Sequence, residues 1–353
     1  MGLSRLALPV YQGLVRRLHE LTSLFFELTH DCNLRCLHCG SDCIRDPGAP
    51  RLSRDAVAAV LRDVKAHRDP GEVQVIFSGG EPLCHPELFE LGRDATDLGF
   101  SWGMVTNGYA LTPDNLRRVR AAGLRSITVS LDGLAGAHDW LRGRQGSHAR
   151  AVAALSLLVA DPFYGAMDVV TCVNRRNLRE LRQTRDLLVG LGVPAWRLFT
   201  ISPIGRAAGH PDLFLSRDEY GELLATIRAL RAEGGLHVAL SESGYLGCRD
   251  ELEVRDHHYF CRAGINVGGV MVNGDILACP NIDRRFAQGN VHRESFVEVW
   301  EKKYEVFRDR SWMRTGDCER CGEWRHCQGN SFHLWDLDAG RTRLCHCREY
   351  GLL

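Results

Sequence analysis

Three cysteines stand in a C-x3-C-x2-C run, Cys32, Cys36 and Cys39, inside "ELTHDCNLRCLHCGSDC", residues 27–43. A structural zinc site asks for four ligands in two close pairs. Three thiols on one short loop fit a different need: a [4Fe–4S] cube takes one thiolate per iron, and three thiolates leave one iron open to another molecule. Cys43, Cys84 and His38 are the residues that could close the fourth corner. One strand further on, "FSGGEP" (77–82) places two glycines and a carboxylate where backbone can approach a ligand closely. "TNG" (106–108) and "SLDG" (130–133) follow at later strand ends, with Arg142 beyond them.

These residues need a frame. Apolar runs at 23–29, 72–78, 101–106, 126–132, 167–173 and 195–201 read as strands. Helical patterns alternate with them at 53–67, 86–98, 113–122, 148–159, 178–191 and 216–233. Ser53 and Thr112 stand at N-cap positions, and Gly123 and Gly192 where helices should stop. Six β–α units imply an α/β fold with a parallel sheet, either doubly wound or an incomplete barrel. In a barrel, functional groups gather at the C-terminal strand ends, and the unusual residues sit there. After about residue 240 the pattern changes: a hairpin turns at Asn273-Gly274, a helix covers 294–309, and the rest is loop-rich with eight cysteines. The division expected is an N-terminal extension (1–22), a barrel (23–235) and a small cysteine-rich domain (240–353).

Composition limits the partners. Lys+Arg and Asp+Glu number 44 each, so no general basic field recruits nucleic acid or an anionic membrane. No run approaches the roughly 20 apolar residues of a spanning helix, and the first 22 residues lack a signal-peptide core. Pro9 to His19 read as an amphipathic helix. A cytoplasmic location follows as the expectation, and there 14 cysteines point to metal rather than disulfides.

The C-x3-C-x2-C run followed by "GGEP" resembles the signature of the radical S-adenosylmethionine (AdoMet, SAM) enzymes. The resemblance covers about residues 22–235. It implies a partial (β/α)6 TIM-like barrel and a [4Fe–4S] cluster on Cys32, Cys36 and Cys39 whose open iron chelates AdoMet. It further implies AdoMet contacts from Gly79, Gly80 and Glu81 to the ammonium, Ser130 and Arg142 to the carboxylate, and Asn107 and Asp132 to the ribose. One electron from an external flavodoxin- or ferredoxin-like donor then yields a 5′-deoxyadenosyl radical that abstracts a substrate hydrogen.

The later cysteines resemble the SPASM extension of radical SAM peptide maturases, with Cys318-x2-Cys321-x5-Cys327 and Gly274-x4-Cys279 after Cys261. One or two auxiliary [4Fe–4S] clusters are implied. One would use Cys248, Cys261, Cys279 and one of Cys345 and Cys347; the other would use Cys318, Cys321, Cys327 and the remaining late cysteine. Ser331 stands where the pattern expects a further cysteine. A zinc ribbon on Cys318, Cys321, Cys327 and a later Cys or His326 is the alternative. Pro280 stands where sulfatase-maturing relatives have a functional aspartate, which argues against that reaction. The function implied is modification of a peptide or protein side chain, by crosslinking, epimerisation or oxidation. The alternatives are a small-molecule substrate, such as a sugar or cofactor precursor, and a non-catalytic iron–sulfur or zinc scaffold. With about 22 residues before the first strand, leader recognition is expected from the barrel surface or a separate protein.

Overall fold

The computed structural model describes residues 3–162, 165–241, 244–247 and 251–352. An N-terminal helix α1 (Leu3–Leu18) precedes alternating strands and helices: β1 (Ser23–Glu27), α2 (Arg54–His67), β2 (Gln74–Ser78), α3 (Leu88–Asp97), β3 (Ser101–Thr106), α4 (Pro113–Ala121) and β4 (Leu124–Ser130). Two helices follow, α5 (Ala135–Arg142) and α6 (Ser147–Ala160), then β5 (Ala166–Val173), α7 (Leu181–Leu191), β6 (Ala195–Thr200), α8 (Arg217–Glu233) and β7 (His237–Leu240). Beyond these lie α9 (Glu251–Val254), β8 (Val267–Val270), β9 (Asp275–Leu277), β10 (Gly289–Asn290) and α10 (Phe296–Lys303).

The helices form where the patterning demands. On α2, Val57, Val60, Leu61 and Val64 recur at helical spacing and are all buried. Ser53 caps it by accepting the Ala56 N–H, and Thr112 caps α4 by accepting that of Asn115. Gly192 ends α7 at φ 82°, the left-handed conformation that glycine adopts without strain. Alternate strand residues face the helices: Leu24 and Phe26, Val75 and Phe77, Ile127 and Val129 are at most 1% exposed. Burying each such side chain contributes about 1.5–3 kcal/mol.

The sheet order is β10-β9-β8-β1-β2-β3-β4-β5-β6-β7. Strands β1 to β7 pair in parallel with their neighbours, Phe26 opposite Phe77 and Met104 opposite Ile127. The sheet has two ends and does not close, as a partial barrel requires. Two features extend the six-unit expectation. A short seventh parallel strand, β7, lies beside β6. The expected hairpin, β8–β9, turns at Gly274 and joins the same sheet, β8 running parallel to β1 from Ser23–Val267 to Phe26–Val270. The helix expected over 294–309 is interrupted at Tyr304. Helix α1 is tied to the C-terminal region through Gln12, whose amide donates to the His326 carbonyl (2.9 Å) and accepts from Gln328. No helix among the described residues is long and apolar enough to cross a membrane.

Candidate active site at the strand ends

Residues 32–43 form a loop beyond β1, and several elements pin it. Its N–H groups at Arg35 and Leu37 donate to the carbonyls of Arg142 and Leu141 (3.2 and 2.8 Å), satisfying acceptors that the end of α5 would otherwise leave orphaned. The loop after β6 grips the other side. Arg206 donates from its backbone to Cys39 O (2.9 Å) and from its guanidinium to Cys43 O (2.8 Å), to Cys36 O and to the Asp42 carboxylate. Gly205 makes this approach possible: a Cβ there would lie 2.2 Å from Gly40 O.

Cys32, Cys36 and Cys43 pack with Leu34, and Cys39 and Tyr109 lie against them. Each sulfur of the C-x3-C-x2-C run meets an N–H donor, two of these from distant segments and one from the loop itself. The Asn107 amide lies 3.9 Å from Cys32 Sγ, the Arg142 guanidinium 3.7 Å from Cys36 Sγ, and the Cys43 backbone N–H 3.3 Å from Cys39 Sγ. Burial, then the Glu81 carboxylate and the neighbouring thiols, push Cys32 up; burial also raises Cys36, against the pull of Arg142. A hydrogen bond from Cys43 lowers Cys39. Three buried thiolates repel one another, so they ask for a cationic metal core, and donors aimed at sulfur are the surroundings an iron–sulfur cluster requires. The residues therefore fit a cluster.

The "GGEP" turn lies directly beneath this loop. Gly79 has φ 130°, and a Cβ on Gly79 or Gly80 would sit 2.5 Å from Thr29 O or 2.4 Å from Asp31 O. The close approach that requires glycine is thus to the chain entering the cysteine loop. Glu81 is 1% exposed and heavily committed: it accepts from the Thr106 hydroxyl (2.7 Å), the Asn107 N–H (2.8 Å) and the Leu83 N–H (3.3 Å). Its carboxylate locks "GGEP" to "TNG" and keeps little lone-pair capacity for a ligand. Asn107 sits across the loop, its amide also bonding Asn33 at 2.7 Å.

Asp132 and Arg142 face each other. The guanidinium Nε donates to Asp132 at 2.5 Å, and the other carboxylate oxygen accepts the Cys172 N–H at 2.8 Å. Burial would raise Asp132, but Arg142, His38 and His138 bring it below the usual carboxylate range. The pair therefore reaches the site as one unit, with the Arg142 guanidinium toward Cys36. His38 lies here too, with ligand atoms of His38, Asp132 and Cys172 within 4.8 Å of one another. Arg142 already neutralises that carboxylate, which removes the attraction a cation would need. Ser130 is buried on β4, opposite Val170. The structure thus places Gly79, Gly80, Glu81 and Asn107 against the cysteine loop and its entry, and the Asp132–Arg142 pair beside Cys36, with Ser130 two residues before Asp132. It adds three that sequence reasoning left without this role: Asn33, Cys43 as an N–H donor, and Arg206 as a brace. Arg206 follows a glycine in "SPIGRA", which was the one available signal.

The later cysteines fall in two places. Cys318, Cys327, Cys345 and Cys347 are each raised, by burial first; Cys345 raises Cys318, Cys327 and Cys347, while Cys345 itself is raised by Cys321. Both late cysteines therefore lie near Cys318, Cys321 and Cys327. The short helix at His346–Glu349 keeps them together, Cys347 within it and Cys345 at its N-cap. Cys347 also donates to Tyr245 O (3.3 Å). Cys261 lies apart, accepting the Phe332 N–H at 3.5 Å, and its neighbour in the chain fold is Ser331, buried and bonded to the Tyr259 hydroxyl. Cys279 follows β9, half-buried, and Cys248 lies outside the described residues.

Comparison with known proteins accords with this geometry. Residues 26–188 match the family model of the radical SAM superfamily, and residues 261–322 that of the SPASM iron–sulfur cluster-binding domain. The AdoMet-dependent heme synthase of Methanosarcina barkeri is 31% identical, over 86% of this chain and 89% of its own. Mycofactocin maturase MftC of Mycobacterium tuberculosis is 32% identical, over 87% of this chain and 77% of its own. The crystal structure of Streptococcus suis SuiB bound to its precursor peptide SuiA superposes with a TM-score of 0.72 at 16% identity, over 96% of this chain and 79% of that one.

Proposed function

Because this chain belongs to the radical SAM superfamily and carries a SPASM iron–sulfur domain, and is therefore an enzyme that uses a [4Fe–4S] cluster with AdoMet, we propose that it modifies a side chain of a peptide or protein. Bound together, cluster and AdoMet supply a reductive C–S cleavage whose radical product removes a substrate hydrogen. This chain's residues do the holding. Cys32, Cys36 and Cys39 would bind three corners, with Asn107, Arg142 and the Cys43 N–H offsetting thiolate charge. Glu81 sets the spacing between the two loops on which Gly79, Gly80 and Asn107 meet AdoMet. Ser130 and the Asp132–Arg142 unit line the same strand ends. Cys261, Cys279 and Cys248 would hold one auxiliary cluster, and Cys318, Cys321 and Cys327 another, with Cys345 or Cys347.

The observation that carries the reading is that three sulfurs on one loop each receive an N–H donor, two of them from distant segments (Asn107 and Arg142) and one from the loop itself (Cys43). A cytoplasmic setting and an external one-electron donor of the flavodoxin or ferredoxin type complete the proposal, with a separate leader-binding protein where the substrate has a leader. The similarity to a maturase supports the peptide substrate. The similarity to a heme synthase favours a second reading, radical chemistry on a cofactor precursor. The non-catalytic scaffold is set aside.

Anaerobic reconstitution, reduction and assay for 5′-deoxyadenosine test the chemistry. Wild type should release it, and Cys32→Ser, Cys36→Ser and Cys39→Ser should not. Coexpression with the product of a short reading frame beside the gene tests the substrate. A changed peptide mass supports the proposal; an unchanged peptide together with turnover of a small molecule supports the second reading.

A further inference from the structure

Next to the cysteine loop, α5, the turn after it and the segment after β5 enclose a cavity of about 560 Å³ lined by Asp139, Trp140, Arg144, Gln145 and Arg176 among others. Its charged lining is two arginines to one aspartate. Arg176 lies over the Trp140 ring at 4.7 Å. Arg144 lies over the Tyr109 ring at 4.0 Å, with Arg150 at 5.4 Å from the same ring. Arg35 adjoins them, since a Cβ on Gly143 would meet Arg35 O at 2.5 Å. Among the described residues, none of Arg35, Arg144, Arg150 and Arg176 forms an ion pair.

The nearby carboxylates are hydrogen-bonded elsewhere. Asp139 faces the cavity, but its oxygens accept the N–H groups of Gly146 and His148 (2.7 and 2.8 Å) and the Ser147 hydroxyl (2.9 Å) at the start of α6. Glu180 accepts the Leu134 N–H at 2.9 Å, at the start of α5. In a chain with as many acidic as basic residues, such a group of arginines without an acidic partner among the described residues is local and not a by-product of composition. Stacking on aromatic rings holds guanidinium planes in place while leaving their donor edges free for carboxylates.

The cavity also borders the cluster loop. Arg144 donates to Asn33 O at 2.7 Å, one residue from Cys32. From these contacts, we propose that the cavity of Trp140, Arg144 and Arg176 binds an acidic segment of the peptide substrate and so delivers the neighbouring residue to the strand-end site. The proposal rests on the peptide reading above. Arg144 and Arg176 on the cavity wall suit an extended chain bearing several carboxylates, which paired guanidinium forks recognise in a bidentate manner.

The test measures binding by fluorescence anisotropy on the reconstituted enzyme, using fluorescein-labelled hexaglutamate, hexaserine and hexalysine peptides. Hexaglutamate should bind tighter than the other two, and its affinity should fall as salt rises toward about 0.3 M. The double variant Arg144→Glu/Arg176→Glu should weaken hexaglutamate binding by at least roughly tenfold. Arg125→Glu, an exposed arginine at the opposite end of β4, should leave it within about twofold. Hexaglutamate binding no better than hexaserine, or a double variant indistinguishable from wild type with circular dichroism and iron content intact, overturns the proposal. Release of 5′-deoxyadenosine without any peptide tests the catalytic reading separately, so the two can fail independently.

Discussion

Arg142 and Asp132 are nearly sealed from water, at 9% and 0% side-chain exposure, and each is the other's principal charge partner. Burial opposes the guanidinium charge, yet Asp132 raises Arg142 above its ordinary value. Removing one member of a buried pair leaves an uncompensated charge, at about 3–5 kcal/mol. Asp132→Asn should lower stability by about 3–5 kcal/mol, and with it the thermal midpoint, and Asp132→Asn/Arg142→Met should recover part of the loss; scanning calorimetry on both checks it. If the single variant melts with wild type, the pair is not structural. His333 carries a second residue-scale prediction. Its ring bonds the Ser202 hydroxyl (3.2 Å), and burial lowers it to about 4. An unfolded histidine titrates near 6.5, so below that pH the unfolded chain holds more protons than the folded one. Stability from the neutral ring is therefore complete above about pH 6.5 and drains as pH falls through about 4. Measured on the anaerobic holoenzyme, the destabilisation of His333→Gln relative to wild type should shrink between about pH 7.5 and pH 5, by up to about 2 kcal/mol. A constant gap would mean that His333 titrates alike in the folded and unfolded chain, and a gap that grows toward low pH that it is protonated in the fold.

The cysteine loop shows how elements impose geometry that no residue holds alone. Arg206 supplies three guanidinium contacts and a backbone contact to it, and Gly205 lets the two chains touch. Gly205→Ala should drive a Cβ into Gly40 O, and Arg206→Ala should remove the contacts to Cys36 and Cys43. Both should reduce iron per protein after reconstitution and shift the electron paramagnetic resonance signal of the reduced protein, while Arg206→Lys, which keeps charge but loses the fork, should fall between. Full iron loading and an unchanged spectrum in Arg206→Ala would remove this role. Strands β1 to β6 and helices α2, α3, α4, α6, α7 and α8 were legible in sequence because period and caps are local: Ser53, Thr112 and Gly192 act where they stand. The loops at strand ends were legible as a set for the same reason. What escaped was set by tertiary contact. β7 is four residues long, too short to announce itself, and α5 has neither a side-chain N-cap nor a long apolar stripe. That Glu81 binds protein donors, and that Asp132 is held by Arg142, depends on side chains brought together from distant strands.

At the scale of the molecule, the pairing of β8 with β1 makes the cysteine-rich region part of the barrel's sheet. Hairpin residues Val267 to Val270 cover the open edge of β1, and Phe296 and Trp300 on α10 pack over Gly268. Helix α10 is itself capped from the barrel, since Asp63 on α2 accepts from the Ser295 hydroxyl (2.8 Å) and the Val297 N–H (3.1 Å). Glu27, 0% exposed, crosses the same boundary: Arg284 donates to it at 2.7 Å and the Val272 N–H at 3.2 Å. Burial would raise this carboxylate, but His30 and Arg284 lower it. A chain ending after Leu240 would lose all of these and expose β1 as an uncovered, apolar edge strand, which invites pairing with other copies. Such a chain should aggregate on size exclusion, while the full protein should unfold in a single calorimetric transition that involves both regions. A monodisperse 1–240 chain with its own cooperative melt would show the barrel to be independent. In that case the contacts through Glu27 and Asp63 would dock two finished domains rather than complete one sheet.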